Sequence, residues 1–125
     1  MADKSYDIHG VRVFECAAEG APLRNDSDAV DLIGKALEQH ANVIVLPTER
    51  LDDDFFRLRT RIAGEFIQKF VNYGLRLAIV GDISRHVAES SSLRAFVYES
   101  NRGDHVWFVA SADDLNKRLE RFGPN

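Results

Sequence analysis

Val43-Ile44-Val45-Leu46-Pro47 decides how this chain folds. Four apolar residues in a row, stopped by proline, read as a strand buried on both faces. Leu77-Ala78-Ile79-Val80 and Val106-Trp107-Phe108-Val109 repeat the pattern. Such strands require helices on both sides of a mostly parallel sheet. The stretches between them carry helical periodicity. The chain therefore reads as one α/β domain with its core over about residues 6–122: a mixed, mostly parallel sheet, an N-terminal edge hairpin and about four helices.

Outward from these strands, Tyr6 to Cys16 reads as two short strands around His9-Gly10, an edge hairpin rather than a core element. Ala17 to Asn25 is a loop. Asp26 or Ser27 is expected to cap a helix running to about His40, with Val30, Ile33, Leu37 and Ala41 on its buried face. The next helix is expected to be the longest, opened by Asp52-Asp53-Asp54 and closed by Tyr73-Gly74, with Phe55, Leu58, Ile62, Phe66, Phe70 and Val71 on a wide apolar face. Gly64 in its middle implies close packing there. After Val80 the chain reads as irregular to Ser91. A short helix then carries Leu93, Phe96 and Val97 and stops at Asn101-Arg102-Gly103. Ser111 and Asp114 start the last helix, and Gly123-Pro124 ends it.

The bulk numbers exclude several function classes. At 125 residues the chain is the size of a single domain. A net charge of −4 with no basic block lacks the footprint of a nucleic-acid binder. A stripe of Arg57, Arg59 and Arg61 with Arg85 or Arg94 would supply one, but residues two apart on a helix point in different directions. One cysteine, Cys16, allows no internal disulfide, and no apolar run is long enough for a signal segment or a membrane span. The expected location is the cytoplasm, with no membrane and no nucleic acid as partner.

Reactive groups can gather only at the two rims of such a sheet. At the carboxyl ends of the strands, where open α/β sheets hold ligands, stand Thr48, Arg50, Asp82 and Ser84. Thr48 and Ser84 each follow a strand and are candidate regulatory sites, since a phosphate there would change the local charge by roughly −2. Arg50, Asp82 and Ser84 could line a pocket. At the other rim, Gln68, Lys69 and Asn72 share one side of the long helix, and Glu99, Asn101 and Arg102 could approach them as a ligand or interface group. Asp52, Asp53 and Asp54 suit helix capping better than a magnesium site. The four histidines show no metal-ligand spacing, so no metal and no cofactor is expected. Asp82, Ser84 and His86 alternate on one loop, which does not make a catalytic triad. A phosphoryl-receiver reading fails too: the central strand ends Leu46-Pro47-Thr48 where an aspartate is needed, and the last ends Val109-Ala110-Ser111 where a lysine is needed.

Two stretches carry a family resemblance. The first runs from Phe55-Phe56-Arg57-Leu58 through Ala63-Gly64-Glu65, Gln68-Lys69-Phe70 and Asn72-Tyr73 into Leu77-Ala78-Ile79-Val80-Gly81-Asp82. The second is Tyr98-Glu99-Ser100-Asn101-Arg102-Gly103. Together they resemble the domain of unknown function family 4180, small bacterial proteins without an established activity, over roughly Val11 to Phe122. The element order is also similar to the STAS domain of anti-sigma factor antagonists. That resemblance implies a non-enzymatic module that works through protein contacts, expected as a homodimer, with Thr48 in the position of the phosphorylated serine. Leu46-Pro47-Thr48-Glu49 lacks the acid before and the glycine after that the STAS turn carries. The alternative is a small ligand-binding protein or enzyme using one polar rim.

Overall fold

A computed structural model describes residues 3–122; the Gly123-Pro124 helix stop lies outside the described residues. The hairpin forms from β1 (Lys4–Ile8) and β2 (Val11–Glu15). Its turn residues, His9 and Gly10, both have positive φ, 52° and 79°, as a two-residue turn between twisted strands requires. Then follow α1 (Asp26–Glu38), β3 (Val43–Pro47), three 3₁₀ turns (Thr48–Arg50, Asp53–Phe56, Leu58–Thr60), α2 (Ile62–Asn72) and β4 (Arg76–Val80). The chain continues with α3 (Ser84–Glu89), α4 (Ser91–Arg102), β5 (Val106–Val109) and α5 (Ala112–Phe122).

The sheet runs β1-β2-β3-β4-β5 in sequence order, antiparallel at β1/β2 and parallel elsewhere. Parallel neighbours joined by right-handed crossovers in one direction put every crossover helix on the same face. On that face Phe14, Ile44, Leu46, Leu77, Ile79 and Phe108 pack under α1 to α4. The alternate residues, Val11, Val13, Val43, Val45, Ala78 and Trp107, meet α5 alone through Leu115 and Leu119. Both faces are covered, as the apolar strands demand, but by four helices on one side and one on the other.

Several local expectations are corrected. β2 is an interior strand, paired to β1 and β3, with Val11, Val13 and Phe14 buried; of the hairpin, β1 alone is at an edge of the sheet. Asn25, not Asp26 or Ser27, caps α1: its side chain accepts from Asp28 N–H at 2.9 Å while the Asp28 carboxylate takes the Asn25 N–H. The helix buries Ala29, Leu32, Ile33 and Ala36, so Val30 and Leu37 stay exposed.

The expected long helix is two short 3₁₀ turns (Asp53–Phe56 and Leu58–Thr60) followed by α2. Arg57 is extended (φ −94°, ψ 101°) and Arg61 is left-handed (φ 66°), which breaks the spiral twice. Thr60 fastens the broken stretch, its hydroxyl reaching the carbonyls of Asp54 and Arg57. This path still buries Phe55 against Phe66, ring centroids 5.8 Å apart, so apolar burial survives without the helix. Ser84–Glu89, expected to be irregular, forms α3, and the described residues hold five α-helices rather than four. A Cβ on Gly64 would meet nothing within 4 Å, so close packing does not explain that glycine.

Candidate functional site

The carboxyl ends of β3 and β4 open into a cleft of about 650 Å³ on the α5 side of the sheet. Its existence follows from the uneven layering, because one helix cannot cover five strands. Val45, Pro47 and Val80 form the floor, the hairpin makes one wall and the first turns of α5 the other. His9 at the hairpin tip bonds Asn116 of α5 at 2.9 Å and ties the two walls together.

The rim of this cleft carries Glu15, Glu49, Asp82 and Asp113, and among the described residues no lysine, arginine or histidine lines it. Glu15 accepts the Tyr6 hydroxyl at 3.0 Å and has Lys4 at 3.8 Å. Burial first, and then that hydrogen bond, push the Tyr6 phenol up to about 12. Asp82 accepts the Ser84 N–H at 2.9 Å, and this bond holds its carboxyl below the usual range. The acid therefore stays charged at neutral pH and faces solvent.

Thr48 and Gly81 interlock on the cleft floor. Gly81 has φ 149°, and a Cβ on it would overlap the Thr48 hydroxyl and methyl. The glycine thus leaves room for Thr48 to pack between the ends of β3 and β4.

The other expected groupings separate. Arg50 does not join Asp82 and Ser84. It turns to the opposite side and donates to the carbonyls of Ala17 and Ala21, at 3.0 Å each, tying the loop after β2. Ser84 opens α3 through its Asp82 contact. Gln68 bonds Asn72 at 2.9 Å, and Lys69 faces Asp26 at 3.9 Å. Glu99 pairs with Arg102 at 3.8 Å. The two lower-rim groups are thus satisfied locally instead of across the rim. Asn101 does something else: its side-chain amide takes the N–H of Phe108 at 2.7 Å and donates to the Phe108 carbonyl at 3.1 Å. It stands in for a neighbouring strand and closes the β5 edge.

Asp52, Asp53 and Asp54 cap no α-helix, which corrects the capping expectation. They face Arg24 at 2.7 Å, Arg85 at 3.0 Å and Arg57 at 2.7 Å, three different directions. His86 stacks on Phe56, ring centroids 4.4 Å apart, away from any triad with Asp82. Sequence reasoning missed Tyr6, Glu15 and Asp113. Each lies at the end of an element that reaches the rim, but only the sheet order places the hairpin and α5 around the same floor.

A family model described as a domain of unknown function, DUF4180, matches residues 8–119. No curated protein and no solved structure matches the chain.

Proposed function

The chain belongs to the DUF4180 family, whose description carries no activity, and from the shape and charge of its rim we propose a non-enzymatic interaction module that docks a basic segment of a partner protein. The carrying observation is the combination in one cleft: an apolar floor ringed by Glu15, Glu49, Asp82 and Asp113 with no basic side chain in the lining among the described residues. Alternating apolar and cationic side chains complement such a surface: the former replace water on Val45 and Val80, the latter reach the carboxylates. A hairpin followed by strands and helices in strict succession also supports the STAS-like reading of the fold.

In this reading Asp82 and Glu49 bind, whereas Thr48 packs. A phosphate on Thr48 would have to leave Gly81 and would bring a further dianion among the carboxylates. The intact mass of the protein after incubation with host lysate and ATP is therefore expected to be unshifted.

The test of docking uses a fluorescent hexapeptide alternating lysine and leucine, with a glutamate–leucine control, followed by anisotropy. Binding of the lysine peptide alone is expected, weakened roughly 5- to 30-fold by Glu49→Gln with Asp82→Asn. Equal binding by wild type and variant would refute the proposal. Sedimentation of the free protein separates a second copy of this chain from a foreign partner.

A further inference from the structure

A second cleft, of about 510 Å³, opens on the same rim but on the face that carries α1 to α4. It lies between the broken segment after β3 and the α3–α4 junction. Arg57, Arg59 and Arg85 line it together with His86 and Ser92. On a continuous helix Arg57 and Arg59 would point apart; the extended backbone at Arg57 is what brings both to one cleft.

Two carboxylates hold arginines of this cleft in position. Asp54 fixes Arg57 at 2.7 Å and Asp53 fixes Arg85 at 3.0 Å. The Arg85 contact comes first among the causes that hold the Asp53 carboxyl below its ordinary value. Arg59 has no carboxylate within ion-pair distance among the described residues. Arg85 also reaches His86 Nε2 at 3.3 Å. The imidazole lies nearly parallel to the Phe56 ring, at 15°, and Phe56 is buried, so the stack is anchored in the core.

One end of the cleft is the start of α4. Ser90 Oγ accepts the Leu93 N–H at 3.1 Å, while the N–H groups of Ser91 and Ser92 lie in the first turn, which has no acceptor within the helix. The lining carries three guanidinium groups and the carboxylates Asp53 and Glu89; with Asp54 on Arg57 the charges balance, and Arg59 is the guanidinium of this lining that no ion pair occupies among the described residues. Guanidinium forks, a serine hydroxyl and helix N–H groups all donate, and a phosphate accepts on three oxygens at once. Leu58 and the Phe56–His86 stack offer an apolar surface beside them, and the volume lies within the range of small-molecule sites.

We propose that this cleft binds a small phosphate-bearing ligand, a phosphomonoester whose phosphoryl group meets Arg59, Arg85 and the start of α4 while its organic part rests on Leu58 and His86. The site is separate from the acidic cleft and does not depend on a partner docking there.

Isothermal titration of the full chain with adenosine 5′-monophosphate, inorganic phosphate and adenosine tests it. Saturable binding of the monophosphate is expected, with displacement by inorganic phosphate and at least ~10-fold weaker binding of adenosine. Arg59→Ala is expected to weaken the monophosphate ~10-fold and Arg59→Lys less. Arg59 makes no ion pair among the described residues, so the unfolding temperature should not move; should it fall, Arg85→Ala provides the second reading. Absence of heat from both phosphates at millimolar concentration would overturn the proposal, as would unchanged affinity in the arginine variants.

Discussion

Gly81 shows how one residue type can shape a site without touching a ligand. Its φ of 149° suits glycine, and Thr48 occupies the space a side chain would need. Gly81→Ala combines backbone strain with an overlap on a β-branched neighbour, and each effect costs roughly 1–3 kcal/mol. The variant is expected to lose at least ~2 kcal/mol in urea unfolding, and Thr48→Ala in the same background should recover part of it. A loss that Thr48→Ala leaves untouched would assign the whole effect to the backbone. The glycine was legible in the sequence as the residue that follows the strand ending at Val80. Its partner was not, because residues 48 and 81 meet only once β3 and β4 lie side by side.

At the scale of elements, one edge strand of the sheet is closed by a side chain. β5 is closed by the Asn101 amide, which satisfies both backbone groups of Phe108. Asn101→Ala leaves these two groups without a protein partner, a cost of about 1–3 kcal/mol, and exposes an edge that can pair with another chain. A lower unfolding temperature together with concentration-dependent light scattering is expected; a drop in stability with no scattering would limit Asn101 to a capping role. The periodicity of Leu93, Phe96 and Val97 located α4 in the sequence, and Asn101 fell at its end as expected. Its hydrogen bonds did not follow, since they need the return of the chain in β5. The stretch from Asp52 to Arg61 went the other way. Its apolar spacing suits a helix, yet burial of both Phe55 and Phe56 is achieved along a path broken at Arg57 and Arg61. Tertiary packing overrides local propensity there, and the cationic cleft is the consequence.

For the whole molecule, burial raises two titratable groups beside the N-terminal hairpin, one on each face of the sheet. Burial pushes the Cys16 thiol up to about 12 from an ordinary 9.0, and the Tyr6 phenol rises to about 12 as well. Both folded-state values are raised, so the fold favours the protonated forms. Stability from these groups is complete below pH 9 and declines as pH rises toward 12; for Cys16 alone the loss reaches the order of 4 kcal/mol. Denaturant melts at pH 7, 9 and 11 should show this decline, and Cys16→Ala should flatten it; an identical slope in the variant would mean that thiol ionisation is not its cause. What the sequence by itself determined is the alternation of buried strands and amphipathic helices, the single α/β domain and the strand ends where rim residues stand. Those features rest on local polarity and turn chemistry, which act over a few residues. The tertiary structure alone decided which rim residues share a cleft: acids from the hairpin, two strand ends and α5 around one floor, arginines from the broken stretch after β3 and from α3 around another. Neighbours so far apart along the chain are brought together by strand order and crossover handedness, and short-range pattern carries no record of either.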